Sequence, residues 1–336
     1  MAPNDAQMMV IEIIRPGGPE VLRATRRPIP RPEGDEVLVR VGAAGVNRVD
    51  AFQRAGIYTP PPGTTDIPGV ELAGVVEARG PDARRYATGD RVCGIVRGGG
   101  YAQYCVIPEG QALPVPAGFD DLRAAGIAET FFTVWGALYG QGRFNLGESL
   151  LVHGGSSGIG TTAIMLARAL GAGDIFTTAG SDEKCRVCER IGATRAINYR
   201  TTDFVEAVRE ATGGRGVDVV LDMVAGSYVQ RNLSLLPDDG RLVLVGRMSQ
   251  ELEVPVSVLA VMYRRLVLTG FSLRGQSVAR KTAIAREVEA HLWPLLADGR
   301  IAPIIDSVFP MSQADKAHQL LESSRHIGKI ILEMDA

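Results

Sequence analysis

Residues 150–170, LLVHGGSSGIGTTAIMLARAL, decide the fold. The apolar run 150–152 reads as a buried strand, 154–160 as a glycine-rich loop, and 161–170, rich in small residues, as a helix. Glycines let the backbone reach positive φ and approach a ligand closely, while the free N–H groups and dipole of a helix start attract an anion. A dinucleotide pyrophosphate is the usual anion. The spacing GGSSGIG departs from GxGxxG, so the flanking strand and helix carry the assignment rather than the glycine count.

With 336 residues the chain has the length of two domains of ~100–200 residues each. Hydrophobic residues make up 46% and charged residues 22%, as in ordinary globular proteins. Lys and Arg (36) nearly balance Asp and Glu (38) without a basic cluster, which argues against nucleic acid or an anionic membrane as partner. No apolar run reaches the ~20 residues of a membrane span. The start, MAPNDAQMM, lacks the charged-then-apolar pattern of a secretory signal. Cys93, Cys105, Cys185 and Cys188 are too few and too scattered for a disulfide framework, so a cytoplasmic, reducing compartment is expected. Cys185 and Cys188 form a CxxC inside SDEKCRVCERIG, which has helical composition and no second Cys or His pair nearby. They read as two thiols one helical turn apart rather than as a redox or metal site.

After a leader of about eight residues, MVIEII reads as a strand and RPGGPEVL as a turn. From Glu36, EVLVRVGAAGV, VELAGVVEARG, DRVCGIV and YAQYCVI are apolar or alternating runs divided by turn residues, the pattern of a barrel-like β domain. NRVDAFQRAG reads as a helix, and IYTPPPGTTDIPG as a proline-rich loop suited to carrying binding groups. Composition shifts near Asp120, where DDLRAAGIAETFFTVWGALYG reads as one or two helices. The strands SLLVHG, DIFTTAG, RAINY, VDVVLDMV, RLVLVG and LVLTGF then alternate with helices such as TAIMLARAL, DEKCRVCERIG, DFVEAVREATG and SYVQRNLSLLP. This is the signature of a parallel, doubly wound sheet. A long helix over about 277–297, the helix MSQADKAHQLLESS and a last strand KIILEM follow; with no helix after it, that strand is expected to return to the β domain. The expected division is 1–130 completed by 273–336, and 131–272.

An NAD site ends its second strand with Asp or Glu about 20 residues past the glycine loop, to accept from the ribose 2′-OH. Here that strand ends TTAGSDEK: Ala179, Gly180 and Ser181 stand where the acid belongs, and Lys184 follows. A hydroxyl and an ammonium suit a 2′-phosphate, which favours NADPH. The competing reading makes Ser181 a helix cap and Lys184 a solvated cation beside Asp182 and Glu183. His153, His291, His318 and His326 are widely spaced, with no HExxH or Cys/His quartet, so no metal site is expected. His153 reads as structural, and Ser156 and Ser157 belong to the phosphate loop rather than to a nucleophile elbow. Hydride transfer requires a nicotinamide placed against an electrophile and stabilisation of the oxyanion that forms. Asn47, Asp50, Tyr58 and Thr133 are the polar candidates, with a helix cap, a structural hydrogen-bond partner, a loop anchor and a helix residue as the respective alternatives.

The order of β domain, α/β domain and returning tail, with GVNRVDAFQRAGIYTPPPG, VHGGSSGIGTTAI, TTAGSDEK, INY and IGKIIL, resembles the medium-chain dehydrogenase/reductases. Within them the chain is most similar to the zinc-free, zeta-crystallin-like NADPH:quinone oxidoreductases, over nearly its whole length. The resemblance implies an α/β protein, a GroES-like β-barrel catalytic domain plus a Rossmann doubly wound parallel-sheet domain, with a cleft between them. It also implies NADPH as cofactor, a small quinone or enone as substrate, and a homodimer, expected here through the edge strand at 266–271. The zinc-ligand positions of the alcohol dehydrogenases correspond to Asn47, Val70 and Glu129, and the structural-zinc cysteine lobe is missing, which implies chemistry without metal. By position, Asn47 and Tyr58 match substrate-pocket residues and Thr133 one beside the nicotinamide. Gly155, Ser157, Gly158, Ile159 and Gly160 match the pyrophosphate turn, and Gly180, Ser181, Lys184 and Tyr199 the 2′-phosphate and adenosine pocket. Gly246, Met248, Phe271 and Leu273 match strand ends bordering the nicotinamide. Some members carry a Tyr five residues beyond the pocket Asn, where this chain has Phe52 and lacks the hydroxyl. The expected function is metal-free, NADPH-dependent reduction of quinones or related conjugated carbonyls by hydride transfer. The alternatives are a 2-alkenal or enone double-bond reductase, and an NADPH-binding, crystallin-like or regulatory protein with little turnover.

Overall fold

The computed structural model describes residues 6–61, 63–251 and 253–335; residues 1–5 of the expected leader and Pro62 of the proline-rich loop lie outside the described residues. The chain divides into two compact units, Met1–Phe132 with Arg274–Ala336, and Thr133–Leu273. The fold is the expected mixture of a barrel-like β unit and a doubly wound α/β unit.

The first unit is organised by the strand Glu36–Val46, the longest in the chain. Its alternation sends Val37, Val39 and Val41 into one apolar cluster with Leu72, Val76 and Val92. Its far end, Ala44 and Val46, joins a second cluster with Tyr101 and Ile330. The seven-stranded sheet runs in the order Ile305–Pro310, Lys329–Glu333, Glu36–Val46, Glu71–Arg79, Arg91–Ile95 and Ala112–Pro114, with Tyr104–Pro108 also paired to Glu36–Val46. Lys329–Glu333 lies antiparallel to Glu36–Val46, with Ile330 opposite Val46. The helix Arg48–Arg54 follows at once, its start held by the Asp50 carboxylate, which accepts the Asn47 N–H at 2.9 Å.

The second unit contains all six expected strands as one parallel sheet. Numbered along the chain, they lie in the order 3-2-1-4-5-6: Arg195–Asn198, Ile175–Ala179, Leu150–Val152, Val219–Asp222, Arg241–Leu244 and Val267–Gly270. The order reverses at Leu150–Val152, so the strand ends beside it form the crevice where such sheets bind ligands. The helix after it spans Gly158–Ala169 and starts three residues before the expected Thr161, because Ser157 caps it: Ser157 Oγ accepts the Gly160 N–H at 3.0 Å. Gly158 and Gly160 therefore belong to the first helical turn, not to the loop. Residues 121–141 form the short helices Asp121–Ala124 and Ala128–Val134 and a π-helical turn, Trp135–Gln141. A helix not anticipated from sequence, Val258–Arg264, leaves Val258, Leu259, Met262 and Tyr263 exposed. All four cysteines are free and buried, including Cys185 and Cys188 on the helix Asp182–Arg190, where burial pushes both thiols up, that of Cys188 to about 12. That suppresses the thiolate a redox role requires. Among the described residues no helix is long and apolar enough to cross a membrane.

Gly160 is where helix and turn touch: a Cβ there would stand 2.2 Å from the Gly154 carbonyl oxygen. Gly160→Ala is expected to lower stability by about 1–3 kcal/mol, read as a loss of denaturation midpoint at unchanged slope. An unchanged midpoint would show that the turn relaxes freely.

Candidate functional site

In the second unit, the expected nucleotide residues follow the carboxyl ends of neighbouring strands. Behind Leu150–Val152, the Gly155 N–H bonds to Thr178 O at 2.9 Å, fixing the glycine turn to the second strand. Gly158 and Ile159 begin the helix, whose first N–H groups have no partner within it and face the turn. Gly155 and Gly160 have no room for a side chain: a Cβ on Gly155 would meet Thr177 Oγ1 at 2.0 Å. The turn thus presents backbone to a ligand, as a pyrophosphate cradle requires.

The end of the second strand carries no acid. Ser181 Oγ caps the next helix by accepting the Lys184 N–H at 3.3 Å, and half-buried Lys184 sits in its first turn. Capping uses the hydroxyl as an acceptor, so its hydrogen stays available to a phosphate oxygen. Tyr199, after the third strand, bonds through its N–H to Ala179 O at 3.1 Å, and a Cβ on Gly180 would stand 2.8 Å from its hydroxyl. Gly180, Ser181, Lys184 and Tyr199 are therefore neighbours. Gly246 and exposed Met248 follow the fifth strand; buried Phe271 and Leu273 follow the sixth, with the Phe271 ring filling the space above Gly136. Thr133 is buried in the helix Ala128–Val134.

Sequence reasoning placed His153 in a structural role but missed its partners. Asn232 donates from Nδ2 to Asp222 Oδ2 at 3.0 Å, so its Oδ1, 2.7 Å from His153 Nε2, must accept. His153 is then the Nε2–H tautomer, with Nδ1 facing the Thr178 hydroxyl at 3.0 Å; burial depresses its basicity and keeps it neutral. This network braces the ends of the first, second and fourth strands.

In the first unit the central feature is a buried ion pair. Lys329 Nζ lies 2.6 Å from Glu71 Oε1 and 2.6 Å from Asn47 Oδ1, with the Lys329 side chain 4% and that of Glu71 0% exposed. The Asn47 amide nitrogen donates to Glu71 Oε1 at 2.9 Å and to Gly45 O at 3.3 Å, and Glu71 Oε2 accepts the Glu129 N–H at 2.8 Å. The ammonium fixes the Asn47 orientation, since the amide oxygen must face it. Both amide hydrogens are thereby engaged inside the protein. Asp50, next to it, accepts from the Asn47 and Gly69 N–H groups and from the Tyr101 hydroxyl; burial outweighs these bonds and raises its carboxyl to about 6. Tyr58 is half-buried, with the Arg274 guanidinium 4.7 Å from its ring centre. Neither Lys329 nor Glu71 was a sequence candidate. The available signal was a lone charge inside each of two apolar strands, VELAG and GKIIL.

These residues do not fit a zinc ion. Of the three positions, Val70 has no ligand atom, Asn47 faces an ammonium, and only Glu129 offers a carboxylate. Among the described residues no three His, Cys, Asp or Glu side chains group so as to hold a metal.

Two family models match the two parts of the chain: an alcohol dehydrogenase GroES-like domain over residues 33–117, and a zinc-binding dehydrogenase over residues 158–289. The chain is 31% identical over 335 residues to a quinone oxidoreductase of Rattus norvegicus, covering 99% of each. Among solved structures it resembles the Escherichia coli quinone oxidoreductase complexed with NADPH (30% identity, TM-score 0.85, 98% and 100% of the two chains). It also resembles the quinone oxidoreductase of Pseudomonas syringae pv. Tomato DC3000 (29% identity, TM-score 0.87, 97% and 99%). The fold and the glycine turn define a dehydrogenase/reductase of the medium-chain type. The chain belongs to the quinone oxidoreductases of that superfamily, a family of oxidoreductase enzymes.

Breaking the buried pair from one side strands a charge. Lys329→Met is expected to destabilise by about 3–5 kcal/mol, and adding Glu71→Gln to recover part of that loss. Equal stability of the single variant and the wild type in urea titrations would remove the pair from its central role.

Proposed function

We propose that the chain is an NADPH-dependent, metal-free reductase of quinones or related conjugated carbonyls. The observation that carries the reading is the acid-free end of the second strand: Gly180 and Ser181 beside Tyr199, with Lys184 in the first helical turn, form a place for a 2′-phosphate rather than for a ribose hydroxyl. Gly155, Ser157, Gly158, Ile159 and Gly160 would hold the pyrophosphate of NADPH, which would supply a hydride; with one solvent proton this would convert an acceptor quinone to the hydroquinone. Gly246, Met248, Phe271, Leu273 and Thr133 are assigned to the nicotinamide end. Tyr58 is assigned to the acceptor, where its hydroxyl donates to the carbonyl oxygen, while Asn47 holds the backbone around it through Lys329 and Glu71. Metal-free action is supported by the ammonium that stands against Asn47. A reducing cytoplasm suits four free thiols.

The homodimer is assigned to the edge strand Val267–Gly270 and the helix before it. Val258, Leu259, Met262, Tyr263 and Leu268 are exposed, and Val267–Gly270 is an edge strand of the sheet among the described residues.

Three measurements test this. Lys184→Ala is expected to weaken NADPH binding about tenfold and NADH binding little, and equal effects on both would remove the phosphate assignment. NADPH oxidation is expected with an ortho-quinone in preference to a simple enone; the reverse preference makes the chain a double-bond reductase, and tight NADPH binding without turnover makes it a binding protein. Light scattering is expected to give about twice the 35.8 kDa chain mass, reduced to one chain by Met262→Glu; a monomeric wild type would remove the dimer.

A further inference from the structure

The first unit buries more positive charge than its established partners explain. Arg274 is 9% exposed, and its buried Nε and Nη1 atoms have no hydrogen-bond acceptor among the described residues. Nη2 donates to Gln53 Oε1 at 2.7 Å and to Arg97 O at 3.1 Å. The guanidinium carbon lies over the Tyr58 ring, 4.7 Å from its centre. Lys281, on the helix Val278–Ala297, is 1% exposed, and its ammonium is pushed down to about 8 by burial and by the charges of Arg97 and Arg274. The carboxylate that bears on Arg274 is Asp50, and its oxygens already accept from Asn47, Gly69 and Tyr101. Buried Lys281 thus lies within electrostatic reach of exposed Arg97 and of a buried guanidinium whose Nε and Nη1 are unfilled among the described residues, an arrangement whose burial cost an incoming anion offsets.

We propose that Arg274, backed by Lys281 and Arg97, binds a singly charged oxyanion group, a carboxylate or sulfonate, carried by the electron acceptor. The inference rests on the reductase reading, since it names the substrate class at the residue, Tyr58, assigned to the acceptor. Arg274 supplies direct donors in a fixed plane. Lys281 adds charge behind it, and Arg97 attracts the anion from solvent. Neutral quinones then lack the group that the site is built to hold.

The test compares NADPH oxidation with 1,2-naphthoquinone-4-sulfonate and with 1,2-naphthoquinone in the full chain. Because the sulfonate also changes the redox potential, the readout is how each variant alters the ratio of the two kcat/KM values. Arg274→Met is expected to lower the sulfonate-to-neutral ratio about tenfold or more, through KM. Arg274→Lys is expected to lower it less, and Lys281→Met to lower it in the same direction. A ratio unchanged in Arg274→Met and Lys281→Met overturns the site; if Arg274→Met does not fold, Arg274→Lys and Lys281→Met carry the comparison. Calorimetry with 1-naphthoate separates this inference from the reductase reading. Binding that is lost in the Lys281→Met variant, in a chain that turns over no acceptor, keeps the anion site and removes the reductase; absence of naphthoate binding by a chain that reduces neutral quinones does the opposite.

Discussion

The Lys329–Glu71 pair is the constraint on which the first unit depends. A charge with so little exposure persists only when every partner is present. Here the ammonium reaches Glu71, the Asn47 amide oxygen and the Val46 carbonyl oxygen, so it joins three strands and the start of a helix at one point. The pair also fixes what Asn47 can do. The amide oxygen is held by a cation and both amide hydrogens are used internally, so the Asn47 side chain is tied into the frame. The family model named for zinc covers residues 158–289 and so includes none of Asn47, Val70 and Glu129.

The second unit depends on a different constraint, the lack of space around Gly155 and Gly160. Side chains at those positions would collide with Thr177 and with the turn's own carbonyl, so the backbone alone forms the surface there. The strand ends around the turn are braced by neutral His153 through Thr178, Asn232 and Asp222.

Much of this was legible in the sequence, for identifiable reasons. The six parallel strands announce themselves as short apolar runs between glycine turns, and their order follows the rules of doubly wound sheets. The start of the helix Gly158–Ala169 was placed too late because glycines read as loop, although Ser157 ahead of Gly160 carried a capping signal. The helix Val258–Arg264 escaped notice because its apolar residues face outward, where periodicity gives no guide to burial. At the candidate site the glycines and Lys184 are visible as local patterns. Lys329 and Glu71 are 258 positions apart, and only the fold brings them together. The sequence of Asn47 reveals an amide but not which groups take its hydrogens.

The pairing of Lys329–Glu333 with Glu36–Val46 also sets an order of assembly. On the ribosome, the strand that completes the barrel-like unit emerges after the whole of Thr133–Leu273. The nucleotide-binding sheet contains all of its own strands and is free to close as soon as it has emerged, whereas the N-terminal strands wait with an open edge and an unneutralised Glu71. A discontinuous unit of high contact order thus finishes after the insert has emerged, and its buried ion pair forms only when Lys329 arrives.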